Sequence, residues 1–168
     1  MSNLKSILND LIWEGASDKI SVNRGYHLPF KPNRKIKIKA APFHKTNRIL
    51  FYCIDWEMPI RTPILASKDG IILERESRFN TSGNENFVDR ANYIIIAHEN
   101  NEFSIYAHLD WRGINVRKGQ KVKAGKLIGY SGQTGYATYP HLHFGVYKIL
   151  NGKLKNIRVE FSTQLSKQ

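Results

Sequence analysis

The stretch Pro140-His141-Leu142-His143-Phe144 decides how this chain is read. Side chains of an extended segment alternate between faces, so His141 and His143 share one side of a strand and Leu142 and Phe144 share the other. An apolar face packed on a core then leaves two imidazoles directed at a single spot. One of them can hold a metal while the other reaches a bound substrate or water. A hydrogen-bonded core histidine is the plainer reading of either residue, so the surrounding sequence has to carry the assignment.

Outward from that stretch, short β-rich runs punctuated by turn residues dominate everything after Gly15. They are residues 35–40, 49–56, 64–66, 70–74, 93–98, 103–108, 126–130, 141–147 and 157–161, with turn signals at Lys118-Gly119, Ser131-Gly132 and Asn151-Gly152. Lys35-Ile36-Lys37-Ile38-Lys39 alternates charge with apolar residues and predicts a strand with one wet face. Ahead of these runs, Leu4, Ile7, Leu8, Leu11 and Ile12 follow helical spacing and predict one amphipathic helix over residues 3–14. After residue 15 no helix of two turns is evident. The fold class is therefore mainly β: a single-domain antiparallel sheet core with a short N-terminal helix. Residues 75–91, rich in Ser, Asn, Arg, Asp and Glu, form a polar insertion that is either a loop or a wall of a binding site. There is no internal repeat or linker.

A chain of 168 residues can bury a sizeable core unaided, and the single Cys53 excludes an internal disulfide framework. No apolar run reaches 18 residues and no secretion signal is evident, so neither a spanning helix nor an export leader is expected. The net charge of +12 calls for a polyanionic partner, nucleic acid or bacterial cell wall. Its two clusters, residues 31–39 and 112–126, read as solvated faces, because no RNA-binding aromatic motif, helix-turn-helix pattern or zinc-finger spacing accompanies them.

Chemistry can then be placed on the strands. Asp55 closes the apolar run Phe51-Tyr52-Cys53-Ile54-Asp55, where burying a carboxylate is costly unless a positive group meets it. His108 closes Phe103-Ser104-Ile105-Tyr106-Ala107-His108. With His141 and His143 this is the inventory of a hydrolytic zinc site: nitrogen and carboxylate donors, an open position for water, and extra histidines for proton handling.

Several segments in order resemble one family. Residues 55–70, the segment Ile105-Tyr106-Ala107-His108-Leu109, the glycine-punctuated hairpin 116–129, and Gly129-Tyr130-Ser131-Gly132-Gln133-Thr134-Gly135 leading into Pro-His-Leu-His-Phe are similar to the lysostaphin-type, or LytM-like, zinc endopeptidases that cut peptidoglycan peptides. The resemblance runs from about Leu28 to Phe161. It implies a lysostaphin-like sheet core of the duplicated hybrid-motif type, one zinc ion per chain held by Asp55 and His143, and catalytic roles for His108 and His141 near the water and the scissile carbonyl. Many members place a third ligand four residues before the Asp, where this chain has Phe51. Tyr52-Cys53-Ile54-Asp55 is similar to a branch whose ligand histidine lies on the preceding loop, which here makes His44 the third metal ligand and requires the intervening residues to fold back. Cys53, two residues from Asp55 on the same strand face, is the rival.

The domain boundaries expected are a lead-in over 1–27, the peptidase domain over 28–162 and a tail over 163–168. The expected partners are bacterial peptidoglycan peptides, with no nucleic acid, in a monomer acting at the cell wall, in the periplasm or outside the cell. Two alternatives remain: a catalytically inactive module of the same fold that binds wall or activates another hydrolase, and a basic nucleic-acid-binding β-barrel. His27 and His98 read as structural. Tyr106, Tyr136 and Tyr139 are candidates to line the cleft, with core packing as their default, and Gly132 and Gly135 read as turn glycines.

Overall fold

Tyr93-Ile94-Ile95-Ile96 has no polar position, which calls for a strand covered on both faces. A computed structural model describes residues 12–13, 23–39, 44, 47 and 49–162. In chain order its strands are β1 (Ile12–Trp13), β2 (Asn23–His27), β3 (Lys37–Lys39), β4 (Ile54–Glu57), β5 (Pro63–Leu65), β6 (Gly70–Glu76), β7 (Ser82–Gly83), β8 (Tyr93–His98), β9 (Glu102–Ala107), β10 (Leu109–Ile114), β11 (Lys121–Val122), β12 (Leu127–Ser131), β13 (Gly135–Tyr136), β14 (His141–Leu150), β15 (Lys153–Ile157) and β16 (Val159–Ser162). Nine of them form one sheet in the order β1-β15-β14-β9-β8-β6-β11, with β4 joined to β14 and β3 joined to β4. A second sheet has the order β10-β12-β5, and β13 with β7 and β16 with β2 make two small pairs.

The large sheet is buried on both sides. One face contributes Ile94, Ile96, Tyr106, Leu142, Phe144 and Val146 to the main core, which also takes Ile64, Leu109 and Ile128 from the second sheet. The other face carries a smaller cluster that includes Tyr93, Ile95, Ile105, Ala107, Tyr147 and Cys53. Leu142 and Phe144 are 0% and 1% exposed, and removing each from water contributes about 1.5–3 kcal/mol. That burial fixes the register of β14, because a one-residue slip would drive both histidines into the core.

Most of the expected runs are strands, and the fold is mainly β. The differences have local causes. Residues 49–53 are turns rather than strand: Asn47 accepts from the Ile49 amide through its side chain and from the Leu50 amide through its carbonyl, and the Cys53 amide then bonds to the Leu50 carbonyl. In β3 all three residues are exposed, Ile38 at 74%, because among the described strands β3 pairs only with β4, at the margin of the sheet. Ile12 and Trp13, the end of the expected helix, form β1 and pair parallel with Lys153 and Leu154; the rest of residues 3–14 lies outside the described residues. β2 likewise pairs parallel with β16, so segments expected to be lead-in are hydrogen-bonded to late strands. The insertion holds β7 and a six-residue 3₁₀ helix, Glu85–Arg90, where no helix was expected. It is anchored to the rest of the fold: Ser82 and Gly83 pair with Gly135 and Tyr136, and the Gly135 amide bonds to the Thr81 carbonyl.

Candidate metal centre and its two flanking histidines

β14 brings the site together through its two neighbours. His143 lies directly across from Asp55 of β4 on one side and from Ala107 of β9 on the other. His141 follows on the same face, across from Glu57. His108 comes immediately after Ala107 and has a φ of 60°, the left-handed region that a side chain with a Cβ rarely adopts. That kink ends β9, starts β10, and sets the His108 ring 4.5 Å from the His141 ring and 5.9 Å from the His143 ring, centroid to centroid. His44 completes the group: the turns over residues 49–53 fold the chain back, and its ring sits 5.0 Å from that of His143, edge to face.

The expected residues therefore converge. His44, Asp55 and His143 each offer one ligand atom, and those atoms lie within 4.8 Å of one another. His143 Nδ1 is 2.9 Å from Asp55 Oδ1, and His44 Nε2 is 3.6 Å from Asp55 Oδ2. Cys53 lies outside this set of three, although its sulfur sits beside the His143 ring. Its sulfur contacts the Tyr147 hydroxyl at 3.2 Å and the Asn156 amide at 3.8 Å, while its carbonyl lies 3.3 Å from His44 Nδ1. A carbonyl only accepts, so His44 Nδ1 carries the proton and Nε2 is left as the donor atom facing Asp55. Two imidazole nitrogens and a carboxylate, with the second nitrogen of one ring anchored on main chain, are a donor set that suits zinc.

His108 and His141 are held the same way. His108 Nδ1 donates to the Thr134 carbonyl at 2.7 Å and His141 Nδ1 to the Tyr139 carbonyl at 2.9 Å, which leaves Nε2 of each ring as its free lone pair. His141 Nε2 is 4.0 Å from Asp55 Oδ1. Burial, reinforced by the neighbouring imidazoles, pushes the His108 pKa down to about 3. Burial also lowers that of His141, against its Tyr139 hydrogen bond and Asp55, so both rings are neutral near pH 7. Asp55 behaves oppositely. Burial would raise its pKa, but the hydrogen bond from His143 and the charges of His143, His44 and His141 hold it at about 2. Burial opposes the charged form of His143, and the Cys53 sulfur and Asp55 beside it outweigh burial and raise its pKa.

Tyr139, a candidate from the sequence, has its ring 4.6 Å from that of His141 and carries Lys39 Nζ 3.8 Å over its face. Two further residues gain roles that the sequence did not announce. Asn92 and Thr134 bond around His108; the signals available were a polar residue directly before the apolar run 93–96 and the bracketing of Thr134 by Gly132 and Gly135. Tyr106 is away from the site, fully buried with its hydroxyl bonded to Ser67 and Ser104, and Tyr136 is 43% exposed on β13. His98 is structural, bonded to the Asp69 carbonyl and the Ser104 hydroxyl.

Comparison with known proteins places this geometry. The model of the family described as peptidase family M23 matches residues 51–157. An uncharacterized metalloprotease of Buchnera aphidicola subsp. Baizongia pistaciae is 43% identical over 129 residues, 74% of this chain and 29% of that protein. The peptidoglycan DD-endopeptidase ShyA of Vibrio cholerae is 41% identical over 117 residues, 68% of this chain and 23% of that protein. The chain thus spans under a third of the length of these curated relatives. Among solved structures, the antimicrobial peptidase lysostaphin from Staphylococcus simulans superposes with a TM-score of 0.52 at 30% identity, covering 73% of this chain and 47% of that one.

Proposed function

This chain belongs to peptidase family M23, and from that premise we propose that it is a zinc-dependent endopeptidase that hydrolyses peptide bonds of bacterial peptidoglycan. The observation that carries the proposal is the convergence of His44, Asp55 and His143 beside two further histidines whose Nε2 atoms are free. His44 through Nε2, Asp55 through its carboxylate and His143 through Nδ1 would hold one zinc ion per chain. Zinc bound there supplies Lewis acidity, making a nucleophilic water acidic and polarising the substrate carbonyl.

The chain's own residues supply the rest. One of His108 and His141 accepts the proton of the attacking water at Nε2, and the other donates a hydrogen bond from Nε2 to the developing oxyanion only in its imidazolium form, after taking up a proton there. Their Nδ1 bonds to the Thr134 and Tyr139 carbonyls fix Nε2 as the atom of each ring at which a proton is gained or lost. No Glu of a His-Glu-x-x-His helix is present in the sequence, so imidazole does the work of the base. Phe51, four residues before Asp55, is compatible with an active enzyme, since His44 lies where it would supply the third ligand from the preceding segment.

The substrate assignment rests on the peptidoglycan endopeptidase among the relatives, and it sets the place of action at the cell wall, in the periplasm or outside the cell. The net charge of +12 suits an anionic wall. We propose a monomer as the working unit, the five site residues forming a site that needs no residue from a second copy. The test is His141→Ala: the variant keeps one zinc per chain by metal analysis and loses cleavage of purified peptidoglycan or its stem peptides. Full cleavage by that variant would refute the assignment.

A further inference from the structure

His108 is the one histidine of the site that sits in a strained backbone conformation, and something must hold it there. The main chain of the next residue, Leu109, is bonded at both polar groups: its amide donates to the Asn92 carbonyl at 3.1 Å, and its carbonyl accepts from the Thr134 hydroxyl at 2.8 Å and the Asn92 side-chain amide at 3.3 Å. The Asn92 amide in turn donates to the Thr134 hydroxyl at 2.9 Å. The Thr134 carbonyl then takes the His108 ring itself, at 2.7 Å. The pair therefore holds the main chain of Leu109, directly after His108, while Thr134 also takes the His108 imidazole through its carbonyl. Asn92 is 0% and Thr134 5% exposed, so water cannot replace these bonds.

The surrounding chain allows the pair to close. A Cβ on Gly132 would fall 2.6 Å from the Asp110 backbone, and one on Gly135 would fall 2.7 Å from Ala91, so the segment that carries Thr134 is pressed between the chain after His108 and the end of the insertion. The Asn92 side chain also donates to the Phe79 carbonyl at 2.8 Å and accepts from the Phe79 amide at 3.0 Å. This ties the insertion to the same hub.

We propose that Asn92 and Thr134 are positioning residues for His108, fixing the direction of its Nε2 without touching substrate. The proposal rests on the peptidase reading above. It is tested on the full, zinc-loaded chain with Thr134→Val, which deletes the bridging hydroxyl at nearly constant volume, and Thr134→Ser, which keeps it. Thr134→Val lowers kcat by about tenfold to a hundredfold, the loss typical of a misdirected group, with KM within about twofold and zinc content constant. Thr134→Ser recovers most of that loss. The activity-independent readout is the ¹⁵N ring spectrum of His108, which shifts in the Val variant and returns in the Ser variant while the His98 ring signals stay in place. Should the Val variant fail to fold, Asn92→Ser, shortened but still polar, is read in the same way. An unchanged His108 spectrum in a folded variant, an unchanged kcat, or equal losses in the Val and Ser variants overturns the proposal. A wild-type chain that cuts no peptidoglycan while the His108 spectrum responds as stated overturns only the peptidase reading.

Discussion

Gly145 gives the sharpest test of how tightly the site is supported. It lies on β14 between His143 and Tyr147, and an added Cβ would fall 2.5 Å from Cys53 Sγ, 3.1 Å from Tyr147 Cε2 and 3.3 Å from the Tyr147 hydroxyl. Ordinary carbon contacts are about 3.5–4.0 Å, so Gly145→Ala needs roughly 1 Å of movement between β14 and the turn that carries Cys53. Two effects oppose each other. Replacing a strand glycine by alanine gains about 0.5–1 kcal/mol of backbone entropy, whereas overpacking costs about 1–3 kcal/mol. The clash is with a sulfur that is itself hydrogen-bonded to Tyr147 and Asn156, not with the end of a flexible chain, so the overpacking term wins. The expected net loss is about 1–2 kcal/mol, or roughly 3–6 °C in Tm for a chain of this size. Thermal unfolding by circular dichroism, with urea denaturation as a check, measures it. The Cys53 carbonyl also orients His44, so zinc affinity should fall in parallel. Adding Cys53→Ala to Gly145→Ala removes the nearest obstruction, and the double variant should be more stable than the sum of the single effects by about 0.5 kcal/mol or more. A Tm for Gly145→Ala equal to or above wild type, or strict additivity in the double variant, would refute the reasoning.

His143→Ala deletes a proposed ligand rather than a proposed proton carrier, so it should lose both zinc and activity, in contrast to His141→Ala; metal analysis after dialysis reads the difference. Glu102 supplies a pH test away from the site. Burial would raise its pKa, but hydrogen bonds and charge from Lys68, with Tyr26 and Lys148, hold it below the usual carboxylate range. A depressed folded pKa gives stability that is present above the unfolded value of about 4.3 and is lost as pH falls through the folded one. The Tm of wild type should therefore drop more steeply than that of Glu102→Gln below about pH 4, and parallel curves would count against it. The excess of cationic groups makes association with an anionic wall polymer weaken as salt rises through about 0.1–0.2 M, read by pelleting with purified wall; salt-independent pelleting would argue for contacts of another kind.

What the sequence made legible is the part governed by strict alternation. His141 and His143 could be put on one face, because a period of two leaves no other arrangement once Leu142 and Phe144 are buried, and His108 directly after β9; Asp55, expected to close a strand, instead lies near the start of β4. The turns of residues 49–53 were harder, since Ile49, Leu50, Phe51 and Tyr52 carry strand-like composition while Asn47 and the backbone dictate turns. The paired two-residue strands were not readable at all. β1, β7, β11 and β13 are too short to show a period and exist because tertiary neighbours supply their hydrogen bonds. Asn92 and Thr134 were missed for the same reason, as their roles depend on which carbonyls the fold brings to them.

The bond between His143 and Asp55 closes a loop of 88 residues, and His44 reaches them from outside β4 and β14 altogether. An unfolded chain holds no partial version of this donor set, so metal capture and completion of the sheet are one event rather than two. An ion seated there would act as a clasp fastening the segment that carries His44 to β4 and β14. Scarcity of the metal would then register first as a loosening of that segment and a shorter lifetime against other proteases, before any shortage of turnover is felt.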